Sequence, residues 1–287
     1  MAVYACRNGE GIPPLSIVII FQTFKFDIMN KLNRFLFLYS TFFIFLLFSC
    51  KPDKEEVIGT IFNPKLTYDT MSDMDGNTYR TIKIGTQTWM AENLRVTRYS
   101  NGDEIPYITN DLYLKSGALC TYNNTTNIDT ITKYGRLYNW YAVTDNRKIS
   151  PNGWHVPTYA EWSVLIKYLR TIYGISDDYR TSNDNLVYES LASTMYWKTD
   201  IDQNGGVGSY LSGNNESGFS ALPSGYFAGG SGSNHFAEIG ESCRWWSTTA
   251  NNLSLDAEIY RLSLNNKVIY HDDMLKIFGY SVRLIKD

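Results

Sequence analysis

From Tyr79 onward the chain alternates. Ile82 and Ile84 flank Lys83 at the period of a half-buried strand. The Asp-Gly pair inside Asp73-Met74-Asp75-Gly76-Asn77 marks a turn just before it. Gly85-Thr86 then leads into Gln87-Thr88-Trp89-Met90, so a β-hairpin is predicted. The period changes at Pro157, which stops the preceding segment. Thr158 is a good N-cap, and Glu161 completes a capping box in which each side chain satisfies a backbone N–H at the helix start. Trp162, Leu165, Ile166 and Leu169 recur at helical spacing, and Gly174 ends the run. A second helix is predicted from about Asn185 to Trp197, with Leu191 and Met195 a turn apart.

The remainder reads as short strands and long polar loops. Phe219-Ser220-Ala221-Leu222 leads into a turn at Pro223-Ser224-Gly225, and Trp245-Trp246-Ser247-Thr248-Thr249 is rich in β-formers. Tyr260, Leu262 and Leu264 alternate with Arg261 and Ser263. Asn265-Asn266 tolerates positive φ and lets Val268–Tyr270 return as a hairpin partner. Tyr280-Ser281-Val282-Arg283-Leu284 reads as the closing strand. Two helices among several short strands predict an α+β domain, with no internal repeat.

The N-terminal pattern is different. Phe35–Phe48 is apolar on every face and too short for the roughly 20 residues a spanning helix needs. It has the length of a secretory apolar region, with Lys31 and Arg34 as its positive flank. Leu47-Phe48-Ser49-Cys50 resembles a bacterial lipobox, although Phe48 stands where a small residue is usual. Lipidated Cys50 is therefore the expected new N-terminus, anchoring the protein to a membrane. The segments expected are an upstream extension at 1–28 that precedes the natural start at Met29, a signal peptide at 29–49, a lipidated tether at 50–70 and the domain at 71–287. The charged stretch Lys51-Pro52-Asp53-Lys54-Glu55-Glu56 resembles the surface-export signal of Bacteroidetes lipoproteins. An ordinary solvated tether is the alternative. The expected location is the outer membrane, facing the cell surface or else the periplasm.

Processing at Cys50 removes four basic and two acidic residues, moving the net charge from −3 to −5. That argues against nucleic acid, which needs clustered Lys and Arg. Aromatics make up 15% of the chain, and all seven Trp lie beyond Cys50. They fill cores, and they also make flat platforms for sugars. Cys120 and Cys243 are the thiols left after Cys50. An oxidising compartment allows them to pair, and separate burial is the alternative.

The quoted segments DGNTYRTIKIGTQTWMAENLR, GRLYNWYAV, NGWHVPTYAEW, GFSALPSGYF, WWSTT and GYSVRLIKD follow one another over residues 73–287. In that order they resemble the major paralogous domain family of Fibrobacter succinogenes, found in exported proteins and lipoproteins. The resemblance implies an export-associated domain and brings no catalytic residues. The stretch WHVPTYAEW is also distantly similar to a helix start of formylglycine-generating enzymes. That likeness implies a C-type-lectin-like architecture: two helices, a twisted antiparallel sheet and long functional loops. Family members often carry Cys where Ser150 and Leu284 stand here, so a bridge plausible in relatives is absent.

Candidate chemistry is sparse. His155, His235 and His271 form no HExxH spacing, and there is no GxSxG or phosphate loop. His155, beside Trp154, reads as a hydrogen-bonded packing residue. Gly229–Asn234 reads as a flexible loop. Asp200, Asp202 and Asn204 place oxygens at alternate positions before Gly205, as a Ca²⁺ loop begins, but Leu211 stands where its closing Glu belongs. A solvated loop is the alternative. Thr158, Glu161, Trp154, Trp162, Trp245 and Trp246 are expected to be structural. The leading functional expectation is a non-enzymatic module that binds or displays a glycan or cell-surface protein. The others are an oxidase related to formylglycine-generating enzymes, needing reactive Cys120 or Cys243, and a structural surface-coat component.

Overall fold

The turn at Asp73–Asn77 closes through the Gly76 N–H donating to the Asp73 carbonyl and the Asp73 N–H donating to the Asn77 carbonyl. This is a computed structural model. It describes residues 61–109, 115–176, 184–199, 207–208, 211–228, 236–250, 255–264 and 270–287, all within the compact unit Pro52–Asp287. The turn joins β1 (Asp69–Ser72) to β2 (Thr78–Ile84), and β3 (Gln87–Met90) completes the expected hairpin with β2. Gly85 takes φ +61 at that second turn, and a Cβ there would meet the Tyr168 ring at 2.9 Å. Glycine is therefore required both by conformation and by space.

The other elements follow in chain order: β4 (Leu119–Cys120), α1 (Ile128–Tyr134), β5 (Leu137–Tyr138), α2 (Trp140–Val143), β6 (Trp154–His155), α3 (Tyr159–Ile172) and α4 (Asn185–Leu191). After them come β7 (Ser224–Phe227), β8 (Phe236–Ile239), β9 (Ser242–Trp246), β10 (Asp256–Ser263), β11 (Tyr270–Leu275) and β12 (Ile285–Lys286). One sheet runs β1-β2-β3-β12-β6, another β11-β10-β9-β7-β8, and β4 pairs with β5. Pairing is antiparallel except between β7 and β9. The protein is thus α+β, mostly sheet. No helix among the described residues is long and apolar enough to cross a membrane.

Four helices are described rather than two. Both unexpected ones start at an asparagine: Asn127 accepts from the Thr130 N–H, and Asn139 from the Ala142 N–H. Periodicity missed them because α1 buries only Ile131 and α2 is a single turn. The helix expected to reach Trp197 stops at Leu191. There the Ala221 N–H donates to the Leu191 carbonyl and the Ser193 N–H to the Ala221 carbonyl, so the chain leaves the helix for an extended pairing. Pro223-Ser224-Gly225 is not a turn: Ser224 and Gly225 open β7. Gly225 takes φ +63 in that strand, and a Cβ would lie 2.4 Å from the Ala237 carbonyl oxygen. β9 ends at Trp246, before Ser247-Thr248-Thr249. β11 returns antiparallel along β10; of the expected partner segment Val268–Tyr270 only Tyr270 is described, opposite Arg261, and the Asn265-Asn266 turn with Val268 and Ile269 lies outside the described residues.

Two main clusters form the core. Ile82, Ile84 and Trp89 meet the apolar stripe of α3 and Trp245, Tyr260 and Leu262 in the first. Tyr79, Met90, Tyr138, Trp246, Ile259 and Val282 build the second. Adjacent Trp245 and Trp246 fall in different clusters, as side-chain alternation along a strand requires. Tyr280–Leu284 is not a regular strand. It stitches several pieces together: Tyr280 exchanges hydrogen bonds with Tyr138, the Ser281 N–H donates to Arg244, and the carbonyls of Val282 and Leu284 accept from Leu94 and Met90.

Candidate functional site

The capping box forms as read. The Thr158 hydroxyl accepts from the Glu161 N–H, and Glu161 Oε2 accepts from the Thr158 N–H at 2.8 Å. Glu161 Oε1 reaches further, to His155 Nε2 at 2.7 Å. His155 Nδ1 lies 2.5 Å from Asp287 Oδ1. β6 pairs with β12, which sets His155 opposite Ile285 and brings Asp287 alongside, and the Asp287 N–H donates to the Gly153 carbonyl at 3.0 Å. One imidazole therefore joins α3 to the strand pair at both ring nitrogens. Burial disfavours the charged ring, but the Asp287 and Glu161 carboxylates outweigh it and hold its pKa above the ordinary histidine value. Burial also pushes the Glu161 carboxyl upward, but hydrogen bonds from Thr158 and His155 bring it below its ordinary value.

We expect Thr158→Ala to cost about 0.5–2 kcal/mol, because it removes an acceptor from an α3 N–H and loosens the carboxylate that holds His155. Urea melts check this, and an unchanged midpoint would remove the cap from the account.

Beside His155 opens a cleft of about 390 Å³, within the range typical of small-molecule sites. Trp154 and His155 line it from β6, Asp145, Asn146 and Lys148 from the segment after α2, and Thr158, Thr248 and Asp287 from other loops. Its carboxylates are engaged: Asp145 takes a bidentate contact from Arg147 at 2.9 and 2.8 Å, and Asp287 is taken by His155. That Arg147 contact lowers the Asp145 pKa. In contrast, the Trp154 indole N–H, the Asn146 amide, the Lys148 ammonium and the Thr248 hydroxyl have no partner among the described residues. The cleft is thus lined by one half-buried tryptophan, which also packs on the second core cluster, and by several open donors beside carboxylates already engaged.

The expected site residues separate clearly. Thr158, Glu161 and Trp154 meet at this cleft or its wall. Trp162, Trp245 and Trp246 are buried core. Cys120 and Cys243 are free thiols rather than a pair; Cys120 packs with Leu137 and Phe227, and Cys243 sits in the α3 cluster. Burial pushes the Cys120 thiol up to about 12 and the Cys243 thiol higher still. Cys50, Asp200, Asp202, Asn204 and His235 lie outside the described residues. Among the described residues no group of three or more His, Cys, Asp or Glu side chains is placed to hold a metal ion. Asn146, Thr248 and Asp287 escaped sequence reasoning because isolated polar loop residues carry no spacing signal.

The fold and cleft define an α+β domain with a loop-built, aromatic-walled recess. A family model described as the Fibrobacter succinogenes major domain matches residues 82–286, well over half of the chain, and the chain belongs to that family. Neither the curated proteins nor the solved structures give a match.

Proposed function

We propose that this protein is a binding module that takes a saccharide in the Trp154 cleft, displayed on the outer surface of a cell by a lipid on Cys50. The observation that carries the reading is the half-buried Trp154 ring beside the open Asn146 amide and Thr248 hydroxyl. A sugar presents C–H faces that pack on an aromatic ring and hydroxyls that exchange hydrogen bonds with neutral donors and acceptors. Paired carboxylates can still accept from such hydroxyls through their remaining lone pairs. A C-type-lectin-like arrangement fits the same reading: β1, β2 and β3 share a sheet with β12, and loops between elements build the cleft. The oxidase reading fits less well, because its required thiols, Cys120 and Cys243, are buried and held protonated.

The test is a glycan array probed with protein purified from the membrane fraction. Retention of a defined set of glycans is expected, and Asn146→Ala and Trp154→Ala should each weaken it by roughly tenfold or more, equivalent to about 1.4 kcal/mol. An array on which nothing is retained sinks the saccharide reading. In the same preparation, mass spectrometry should find a lipidated N-terminus at Cys50. An intact peptide from Phe48 through Lys51 in most of the protein would overturn the anchor.

A further inference from the structure

We infer that His155 is a proton-dependent clasp that positions the Asp287 side of the Trp154 cleft; its bearing on ligand capture rests on the saccharide reading. The imidazole carries two ring nitrogens. Each faces a carboxylate oxygen, Asp287 at 2.5 Å and Glu161 at 2.7 Å. Carboxylates only accept, so both contacts are hydrogen bonds only when both nitrogens carry protons, that is, in the imidazolium. A neutral ring has one N–H. Its other nitrogen then sets a lone pair against a carboxylate, and that contact must open.

The two partners are not held equally. Glu161 is also fixed through Oε2 by the Thr158 N–H and hydroxyl, both at 2.8 Å, and its side chain is 30% exposed. The Asp287 side chain is 58% exposed and its carboxylate has no other partner among the described residues. Water can replace His155 at Asp287 more easily than at Glu161, so Asp287 is the end that releases. Because Asp287 lines the cleft, release changes the wall that a ligand meets.

From α3 the facing group is Glu161, and after β12 it is Asp287; Lys286 pairs with Trp154, so strand alternation turns it to the opposite side from the His155 ring. Across the cleft stand Asp145, neutralised by Arg147, and Lys148. The raised His155 pKa gives the sign. The clasp is fully closed below the ordinary histidine value and opens as pH rises through the folded-state value. At the acid end it is lost as pH falls through the depressed Glu161 pKa. The closed window therefore lies between the depressed Glu161 pKa and the raised His155 pKa.

Nitrogen-15 NMR of the intact protein tests the clasp directly. The His155 ring should titrate above the ordinary value of about 6.5. The Asp287 amide, bonded to Gly153, should shift with the same midpoint, and Asp287→Asn should lower that midpoint while the protein stays folded. A His155 midpoint at or below the ordinary value, or an Asp287 amide that ignores it, overturns the clasp. The glycan array read at about pH 6 and about pH 9, either side of the ordinary histidine range, tests the linkage. Glycans retained at the lower pH should lose tenfold or more at the higher. His155→Gln, which is uncharged at both, should remove the pH difference. Equal retention at both pH values overturns the linkage. An array blank at both overturns the saccharide reading instead, with the clasp still decided by the His155 titration.

Discussion

Arg283→Met is expected to cost about 3–5 kcal/mol of stability, enough to take most of what holds a marginally stable domain together. Arg283 is 1% exposed, and no carboxylate lies within ion-pair distance of it among the described residues. Its guanidinium donates instead to neutral oxygens: Asn93 Oδ1 at 3.1 Å, the Met90 carbonyl at 3.2 Å, the Ser220 carbonyl at 3.1 Å, and the Phe219 carbonyl. It also lies over the Phe219 ring at 4.2 Å. Burial pushes its pKa down to about 9, so it stays charged at neutral pH while carrying a desolvation cost. Methionine matches the length and the apolar contacts but leaves three backbone carbonyls without that donor. Those carbonyls cannot be mutated away, which separates this case from buried ion pairs that apolar residues replace without loss. Arg283→Lys keeps the charge but not the planar fork, and should recover only part of the loss. Urea denaturation reads both variants; an unchanged Arg283→Met midpoint would mean that water satisfies these oxygens.

Trp162→Ala should cost a similar 3–5 kcal/mol, for a different reason. This ring is 1% exposed at the first turn of α3. It stacks on Tyr260 at 4.9 Å and 20°, and lies 4.7 Å from Trp89 and 5.8 Å from Trp245. Alanine leaves a cavity where these rings converge, in a cluster too interlocked to collapse. Trp162→Phe should lose far less. The Trp162 indole N–H has no acceptor among the described residues, so phenylalanine removes an unpaired donor as well as some volume. Equal losses for the two variants would overturn this account, because the cavity left by alanine is much the larger.

These predictions fall at sites of unequal legibility. Trp162 could be read from sequence, because a capping box followed by apolar residues at helical spacing determines both the helix and its buried face. The hairpin was legible for the same kind of reason: Asp-Gly and alternating isoleucines act within a few residues. Arg283 was not, since its partners Met90, Asn93, Phe219 and Ser220 are far away in sequence and mostly backbone atoms. The cleft was legible only at its rim. Trp154, Thr158 and Glu161 sit in one motif, whereas Asn146, Thr248 and Asp287 arrive from separate loops that pairing alone brings together. The overlong second helix failed because a distant pairing with Ala221 competes with the next helical turn. Gly225 failed because a glycine that admits a neighbouring strand looks the same in sequence as one that makes a turn.

The stitching by Tyr280–Leu284 bears on the order of events when the chain is made. Leu94, Tyr138 and Arg244 are synthesised well before the residues that complete their hydrogen bonding. Until that late segment arrives, their backbone groups and the second core cluster lack a closing piece. Contacts between residues so far apart carry a large loop-closure cost, and chains dominated by them fold slowly. A nascent chain of this kind stays open and commits to its final form only once the Tyr280–Leu284 segment has been made and has paired with these earlier residues.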